Sequence, residues 1–302
     1  MDTQRTREIL RKVRQVEVRS RRLVDDNMAG RYQAVFKGRG MNFDEVREYV
    51  AGDDIRTIDW KVTARTGIPH IKKFSEEREL TIILMIDISA SGDFGSGNLA
   101  KRELMAELGS VLAFSALRNG DKVGLVLFST TVELFIPAKK GRSHVLRLIR
   151  EILFFVPAGR QTSLEAPLEF TSRVIKRRCV AFLISDFNLP GDFYTGLSAL
   201  SPKLQISNRR HDLIAVQVSD PREFAMPDVG LITLEDSETG EQIDLNTGDP
   251  VLRGAYRDGA VARQKALHRA IRTAGIDLLD LSTGRAYLPA LFAFFQNRQG
   301  RR

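Results

Sequence analysis

The chain has 302 residues, 43% hydrophobic and 28% charged, which is typical of a soluble globular protein with one large domain or two. Its formal net charge of +8 permits a nucleic acid, an anionic membrane or an acidic protein as partner and does not choose among them. The single cysteine, Cys179, excludes an intramolecular disulfide. The sequence shows neither the pattern of a signal peptide nor an apolar run long enough for a membrane span. We therefore expect a cytoplasmic protein.

Residues 2–26 have the apolar spacing of one amphipathic helix, and arginines cover most of its remaining surface. Two interpretations stay open at this point. The basic face could contact phosphate or an acidic protein, or the helix could dock on its own domain and leave its charges solvated.

Residues 38–65 are rich in glycine, aspartate and arginine around the only tryptophan, Trp60. Gly38 and Gly40 do not make a dinucleotide-binding loop, because the third glycine and a preceding strand of the usual length are both missing. The alternating acids and arginines favour an ion-pair lattice that fixes a loop. The alternative is that this segment offers a docking surface of its own.

The apolar run at residues 82–86 predicts a strand that is buried on both faces, as in the middle of a parallel sheet. Asp87 ends this run, and Ser89 and Ser91 follow at alternate positions. Ligands of open α/β sheets bind outside the carboxyl ends of such strands, and carboxylate and hydroxyl oxygens suit Mg²⁺. The alternative is that the serines only cap the next helix.

Helices predicted at residues 100–117, 143–155 and 164–176 alternate with strands predicted at residues 122–128, 179–185 and 213–218. A further strand at residues 132–136 pairs with residues 122–128 as a hairpin. This alternation predicts an α/β fold with a doubly wound, mostly parallel sheet. Thr162, in a polar turn, and Asp186, at a strand end, would then converge with Asp87 at one sheet edge.

The pattern changes after Pro221. Residues 230–244 predict a β-hairpin that turns at Glu238, and residues 257–274 predict a basic helix. A short strand at residues 277–281 and an aromatic-rich helix at residues 287–295 complete the chain. The helix is too short to span a bilayer and is expected to pack under a neighbouring element, with Arg298, Arg301 and Arg302 solvated.

The order and spacing of Asp87-x-Ser89-x-Ser91, Thr162 and Asp186 resemble the metal-ion-dependent adhesion site of von Willebrand factor A domains. The resemblance implies that Asp87, Ser89, Ser91 and Thr162 are ligands of Mg²⁺, or of another divalent cation such as Mn²⁺. It implies that Asp186 is the outer acid, and that one coordination position stays open for a carboxylate of a partner.

A longer signature is similar to that of the domain-of-unknown-function 58 family: Gly38-x-Gly40-x-x-Phe43, Arg47-x-Tyr49, Gly52-Asp53-Asp54-x-Arg56-x-Ile58-Asp59-Trp60, Ala64-Arg65 and the turn at residues 235–241. The resemblance implies an adaptor or co-chaperone of a MoxR-type AAA+ ATPase. The domain organisation we predict is an N-terminal basic helix and charged segment at residues 1–78, a von Willebrand factor A-like domain at 79–220, and a C-terminal hairpin and helical region at 221–302 that packs back on the core.

Our leading hypothesis is therefore a non-enzymatic protein-binding module whose Mg²⁺ engages an acidic residue of a MoxR-type ATPase, and of further acidic client proteins. One alternative is a metal-dependent phosphoester hydrolase with Asp87 as nucleophile. Such enzymes need a general acid two residues on, where this chain has Ser89. A second alternative is nucleic-acid binding through the basic N-terminal helix, but interleaved aromatics and a reader motif are missing from the sequence.

Overall fold

The computed structural model describes residues 13–20, 23, 42–75, 79–97, 99–189 and 191–299. In these residues the chain forms ten strands, which are, in chain order, β1 (Asn42–Glu48), β2 (His70–Ser75), β3 (Thr81–Asp87), β4 (Lys122–Phe128), β5 (Val132–Lys139), β6 (Val180–Ser185), β7 (Asp212–Ser219), β8 (Leu231–Glu235), β9 (Gln242–Asn246) and β10 (Asp277–Ser282).

Within the same ranges, residues 13–20 belong to a first helix, α1. The helices that follow are α2 (Trp60–Thr66), α3 (Lys101–Arg118), α4 (Arg142–Phe154), α5 (Glu165–Val174), α6 (Phe193–Arg210), α7 (Pro250–Thr273) and α8 (Tyr287–Gln299), with short 3₁₀ helices at Ile55–Thr57, Ala90–Asp93 and Pro221–Glu223. None of the helices described is both long and apolar enough to cross a bilayer.

Six strands form the central sheet in the order β5-β4-β3-β6-β7-β10. Every neighbouring pair is parallel except β4 with β5, which is the predicted hairpin. When the six strands of this sheet are renumbered 1 to 6 in chain order, their order across the sheet is 3-2-1-4-5-6, which is the order of doubly wound folds. The predicted α/β fold with a doubly wound, mostly parallel sheet is confirmed, and β3 lies at the point where the strand order reverses.

Side chains of β3 point alternately to two hydrophobic layers, which explains its unbroken apolar run. Ile82, Leu84 and Ile86 pack in the layer formed with α3, α4 and α8. Ile83 and Met85 pack in the layer formed with α5, α6 and α7. Because both faces are covered, polar function is confined to the ends of the strands.

Helix α6 has no counterpart among the helices that the sequence pattern predicts. It begins at the N-cap Asp192, whose carboxylate accepts a hydrogen bond from the Thr195 amide at 2.8 Å. Gly196 and Pro202 lie inside it, and both residue types argue against a helix when only local propensity is considered. Packing of its apolar side against the sheet overrides that preference.

The described part of the basic N-terminal helix docks on its own domain. Val13 and Val16 pack against the α3, α4 and α8 layer. The Glu17 carboxylate accepts hydrogen bonds from Arg142 at 2.6 and 2.9 Å, and Arg19 pairs with Glu107 at 2.6 Å. These contacts favour the docked interpretation, although much of the predicted helix at residues 2–26 lies outside the described residues.

The charged segment around Trp60 folds as the β1–β2 pair and α2. Asp53 accepts two hydrogen bonds from the Arg47 guanidinium at 2.7 and 2.9 Å. Asp54 and Asp59 instead accept backbone amide hydrogens as caps of the Ile55–Thr57 helix and of α2. The acids therefore brace their own loops, while Trp60 remains 69% exposed. Residues 38–41 of the signature lie outside the described residues.

The C-terminal helix α8 packs under the sheet as predicted, with Leu291 and Phe295 fully buried. The expected solvation of Arg298 is wrong. Its side chain is 5% exposed and forms ion pairs with Asp212 and Asp277, at the start of β7 and β10. These two carboxylates, at the amino ends of adjacent parallel strands, stabilise the buried guanidinium group of Arg298. Arg301 and Arg302 lie outside the described residues.

Candidate metal centre

Asp87 is the last residue of β3 and is 2% exposed. Its Oδ1 accepts a hydrogen bond from the Ser89 amide at 2.9 Å, and its Oδ2 accepts one from the Ser185 hydroxyl at 2.6 Å. Burial and the nearby charge of Asp186 raise the pKa of Asp87 to about 7. The carboxyl group is thus fixed in orientation while its negative charge is poorly compensated.

Ser89 and Ser91 are buried beside Asp87, with their hydroxyl oxygens 3.1 Å apart. The Ala90–Asp93 turn brings these alternate positions together. The Ser89 side chain makes no capping hydrogen bond to this turn, and helix α3 begins only at Lys101. Ser89 thus occupies the N-cap position of the short 3₁₀ helix, but its side chain does not cap that helix.

The loop that carries Thr162 lies against the loop after β3, as the topology predicts. The Ala90 amide donates to the Arg160 carbonyl at 2.8 Å, which joins the two loops. Thr162 is 2% exposed, and its hydroxyl donates to Oε1 of Glu238 at 3.0 Å. Ser91 also hydrogen-bonds to Glu238, so the serine and threonine hydroxyls meet at one carboxylate.

Asp186 follows β6, the neighbour of β3. Its Oδ1 accepts from the Asn188 amide at 3.0 Å, and its Oδ2 accepts from Lys101 Nζ at 2.6 Å. Phe187 adopts a left-handed backbone with φ of 57°, an uncommon conformation for a bulky residue, as the chain turns away from the strand. The five predicted site residues therefore lie around the same carboxyl edge of the sheet.

Lys101 is a charged residue of this centre that the sequence pattern does not reveal. Its ammonium group is buried at the start of α3 between Asp186 and Glu223, with which it also forms an ion pair. Burial acts to lower the pKa of Lys101, but the two carboxylates outweigh it and raise the pKa. The ammonium group stays charged, and it is shared between acids that are not Asp87.

Glu238, in the turn between β8 and β9, is the second residue of this centre that the sequence analysis does not predict. The sequence predicts this hairpin correctly, but a glutamate in a polar turn is ordinarily solvated. Here the side chain is buried, and burial together with the Asp186 charge raises the pKa of Glu238 despite its hydrogen bonds to hydroxyl groups. The signature turn at residues 235–241 includes Glu238, but no local pattern indicates that its side chain is buried, because the contact joins residues 76 positions apart.

Glu133, on β5, holds the Thr162 loop in position. Its carboxylate accepts hydrogen bonds from the Ala158 and Gly159 amides at 2.6 and 3.0 Å and from the Ser129 hydroxyl. Burial raises the pKa of Glu133, but these three donors together lower it below the ordinary 4.5. The loop backbone is therefore braced by an ionised side chain.

We expect Glu133→Gln to lower the free energy of unfolding by about 1–2 kcal/mol at pH 7, because hydrogen bonds to a charged acceptor are weakened. A carboxyl whose pKa is lowered by folding stabilises the protein above its unfolded pKa and loses that contribution as pH falls through the folded value. The difference between wild type and variant should accordingly shrink below about pH 4.5. Urea unfolding at pH 7 and pH 4 measures the difference in free energy of unfolding between wild type and Glu133→Gln. If that difference did not depend on pH, the ionised Glu133 carboxylate would not brace the loop.

The donor set fits a hard divalent cation. It offers carboxylate and hydroxyl oxygens only, and two buried carboxylates, Asp87 and Glu238, have raised pKa values that a cation would lower again. Among the described residues, no group of three or more His, Cys, Asp or Glu side chains is arranged to hold a metal ion. A cation here would depend on the hydroxyls of Ser89, Ser91 and Thr162.

Cys179 takes no part in this centre. It is buried, as predicted, and its Sγ lies 3.3 Å from Nδ1 of His211. Burial and the charge of Asp212 raise the pKa of the thiol to about 12, which keeps it protonated and unreactive.

A family model described as "Protein of unknown function DUF58" matches residues 45–266 of this chain. The chain is 32% identical over 289 residues to uncharacterized proteins of Mycobacterium tuberculosis and Mycobacterium bovis, covering 95% of this chain and 89% of each relative. It is 31% identical to an uncharacterized protein of Mycobacterium avium, over 54% of this chain and 94% of the relative.

Two solved structures are similar in fold at low sequence identity. The conserved hypothetical protein BatB from Bacteroides thetaiotaomicron is 14% identical, with a TM-score of 0.46 over 73% of this chain and 99% of that one. The SpRpn10 VWA domain is 12% identical, with a TM-score of 0.40 over 72% and 94% of the two chains.

Proposed function

This chain belongs to the family described as protein of unknown function DUF58, and on that premise we propose that it is a non-enzymatic protein-binding module. In this proposal Asp87, Ser89, Ser91 and Thr162 hold Mg²⁺ or Mn²⁺, and Asp186 acts on the ion as the outer acid. The ion supplies a concentrated positive charge that selects a carboxylate of the partner.

The observation that carries the proposal is the convergence of Asp87 with three hydroxyl groups at the reversal point of the sheet. Ligands of doubly wound sheets bind at this position. The buried negative charge of Asp87 has no basic side chain among its hydrogen-bond partners, which are Ser89 and Ser185. A divalent cation is the simplest group that balances such a charge.

The partner we propose is a MoxR-type AAA+ ATPase, with acidic client proteins as further ligands, in the cytoplasm. A net charge of +8 favours association with an acidic surface through long-range attraction. Catalysis is not part of the proposal, because Ser89 stands where an aspartyl phosphatase carries its general acid and a hydroxyl cannot do that work near neutral pH.

Affinity capture of the purified ATPase on the immobilised wild-type chain tests the proposal. We expect capture in Mg²⁺, loss of capture when the ion is chelated, and recovery when Mg²⁺ is added back. Repeating the capture with and without chelator at two salt concentrations separates binding through the ion from general charge attraction. General charge attraction weakens as ionic strength rises, whether or not the chelator is present. Equal capture with and without chelator would overturn the proposal.

A further inference from the structure

Most residues of the β8–β9 hairpin are exposed, and only one of its side chains is buried. Leu231 and Ile243 are 80% and 58% exposed, which is unusual for apolar residues in a strand pair. Over residues 231–246, all of which the structure describes, Glu238 is the only buried side chain. The hairpin therefore buries a charged side chain while Leu231 and Ile243 remain largely exposed to water.

The turn is built to project this carboxylate. Asp236 Oδ1 accepts the amide hydrogens of Glu238 at 2.8 Å and Thr239 at 3.3 Å, and Gly240 supplies the left-handed residue with φ of 77°. The Arg160 guanidinium donates to the Ser237 carbonyl at 2.8 and 3.2 Å. The loop that carries Thr162 thus also fastens the turn that carries Glu238.

The environment of Glu238 is unfavourable for a carboxylate unless something balances its charge. Its hydrogen-bond partners are hydroxyl and backbone groups of the Thr162 loop and the Ser91 hydroxyl, and the charge of Asp186 repels it. Burial of a charge without a balancing partner is unfavourable. The hydroxyls that it meets are two of those that would bind the cation, so the carboxylate lies where a further ligand of that cation would lie.

We propose that Glu238 is an intramolecular ligand of this centre, which takes the coordination position that a partner's carboxylate would otherwise use. This inference rests on the proposed function. The hairpin then acts as the chain's own acidic ligand, and an external acidic residue must displace it in order to bind.

Burial of the centre supports this competition. Asp87, Ser89, Ser91, Thr162 and Glu238 are all at most 8% exposed, so a partner's side chain has no route to the ion while Glu238 is inserted. The apparent affinity of the partner is reduced by the fraction of molecules whose hairpin is inserted. A partner that also binds the exposed apolar side chains of the hairpin would shift that equilibrium toward release.

Mn²⁺ titration of the purified chain, followed by water-proton relaxation, tests the inference. Mn²⁺ prefers six oxygen ligands, so removing one protein ligand admits one more exchangeable water. We expect Glu238→Ala to bind Mn²⁺ about tenfold more weakly and to give a higher relaxation rate per bound ion. Acetate, as a simple carboxylate probe, should lower the relaxation rate per bound ion of the variant to that of wild type, and it should leave the rate of wild type unchanged.

Glu241→Ala is the matched control, because Glu241 is an exposed acid on the same hairpin and its loss changes the net charge equally. Glu238→Gln keeps the side-chain shape and should behave as Glu238→Ala does. If wild type binds Mn²⁺ and the Glu238 variants match it in affinity and relaxation, the inference is wrong and the proposed function stands. If wild type binds no Mn²⁺, both are wrong.

Discussion

Replacing Lys101 with methionine is expected to lower the free energy of unfolding by about 3–5 kcal/mol, which is the cost of removing one partner from a buried ion pair. The Lys101 side chain is 2% exposed, and its Nζ lies 2.6 Å from Asp186 Oδ2, with Glu223 as its second partner. Methionine fills a similar volume, so the loss would report the two carboxylates left without a cation rather than a cavity.

Urea unfolding of Lys101→Met beside Lys203→Met measures this effect. Lys203 also pairs with two acids, Glu165 and Glu169, but all three side chains are at least 31% exposed. Exposed pairs contribute only about 0–1 kcal/mol. Adding Glu223→Gln to the Lys101 variant should recover part of the loss, since one orphaned charge is removed. Equal, small effects of the two lysine substitutions would show that Lys101 is not needed to balance this centre.

Asp87→Asn is expected to abolish stabilisation of the fold by Mg²⁺. An ion that binds only the folded wild-type chain should add about 2.7 kcal/mol to its stability at one hundred times its dissociation constant. Asparagine keeps an acceptor for the Ser89 amide but loses the charge that holds the ion. Thermal unfolding in Mg²⁺ and in chelator measures the difference between the two proteins.

Without metal, the Asp87→Asn chain should be at least as stable as wild type. Burial of the Asp87 charge beside Asp186 is unfavourable, as its raised pKa indicates, and the substitution removes that cost. Asp93→Asn is the control, because Asp93 lies on the same segment with a 65% exposed side chain. If Asp87→Asn kept the Mg²⁺-dependent rise in melting temperature, the ion would have to bind elsewhere.

Together these experiments separate two roles of negative charge at the carboxyl edge of the sheet. Asp186 has a permanent cation in Lys101, so its charge is balanced whether or not an ion is present. The hydrogen-bond partners of Asp87 are serines, and those of Glu238 are hydroxyl and backbone groups, so in the proposed function a bound cation would balance both charges. In the proposed exchange, a carboxylate of the partner replaces that of Glu238, and this exchange needs no movement of the sheet.

The sequence by itself predicted five of the six strands of the central sheet, with Asp87, Ser89, Ser91, Thr162 and Asp186 at its carboxyl edge, but it placed β10 in a separate C-terminal region. An apolar run in β3 that ends in an acid reports burial on both faces, and short parallel strands bring their carboxyl ends to one edge. These inferences need only side-chain periodicity and the right-handed connections of α/β folds. Both are local properties of the chain.

Only the tertiary structure decided how the charges are compensated. Lys101 reaches Asp186 across 85 residues, Glu238 reaches Thr162 across 76, and Arg298 reaches Asp212 across 86. Each of these side chains belongs to a residue type that is ordinarily solvated, and the local sequence around it is that of a helix end or a polar turn. Its burial follows from the packing of distant elements, because a charge enters the interior only where an opposite charge or a set of hydrogen-bonding groups has been assembled to receive it.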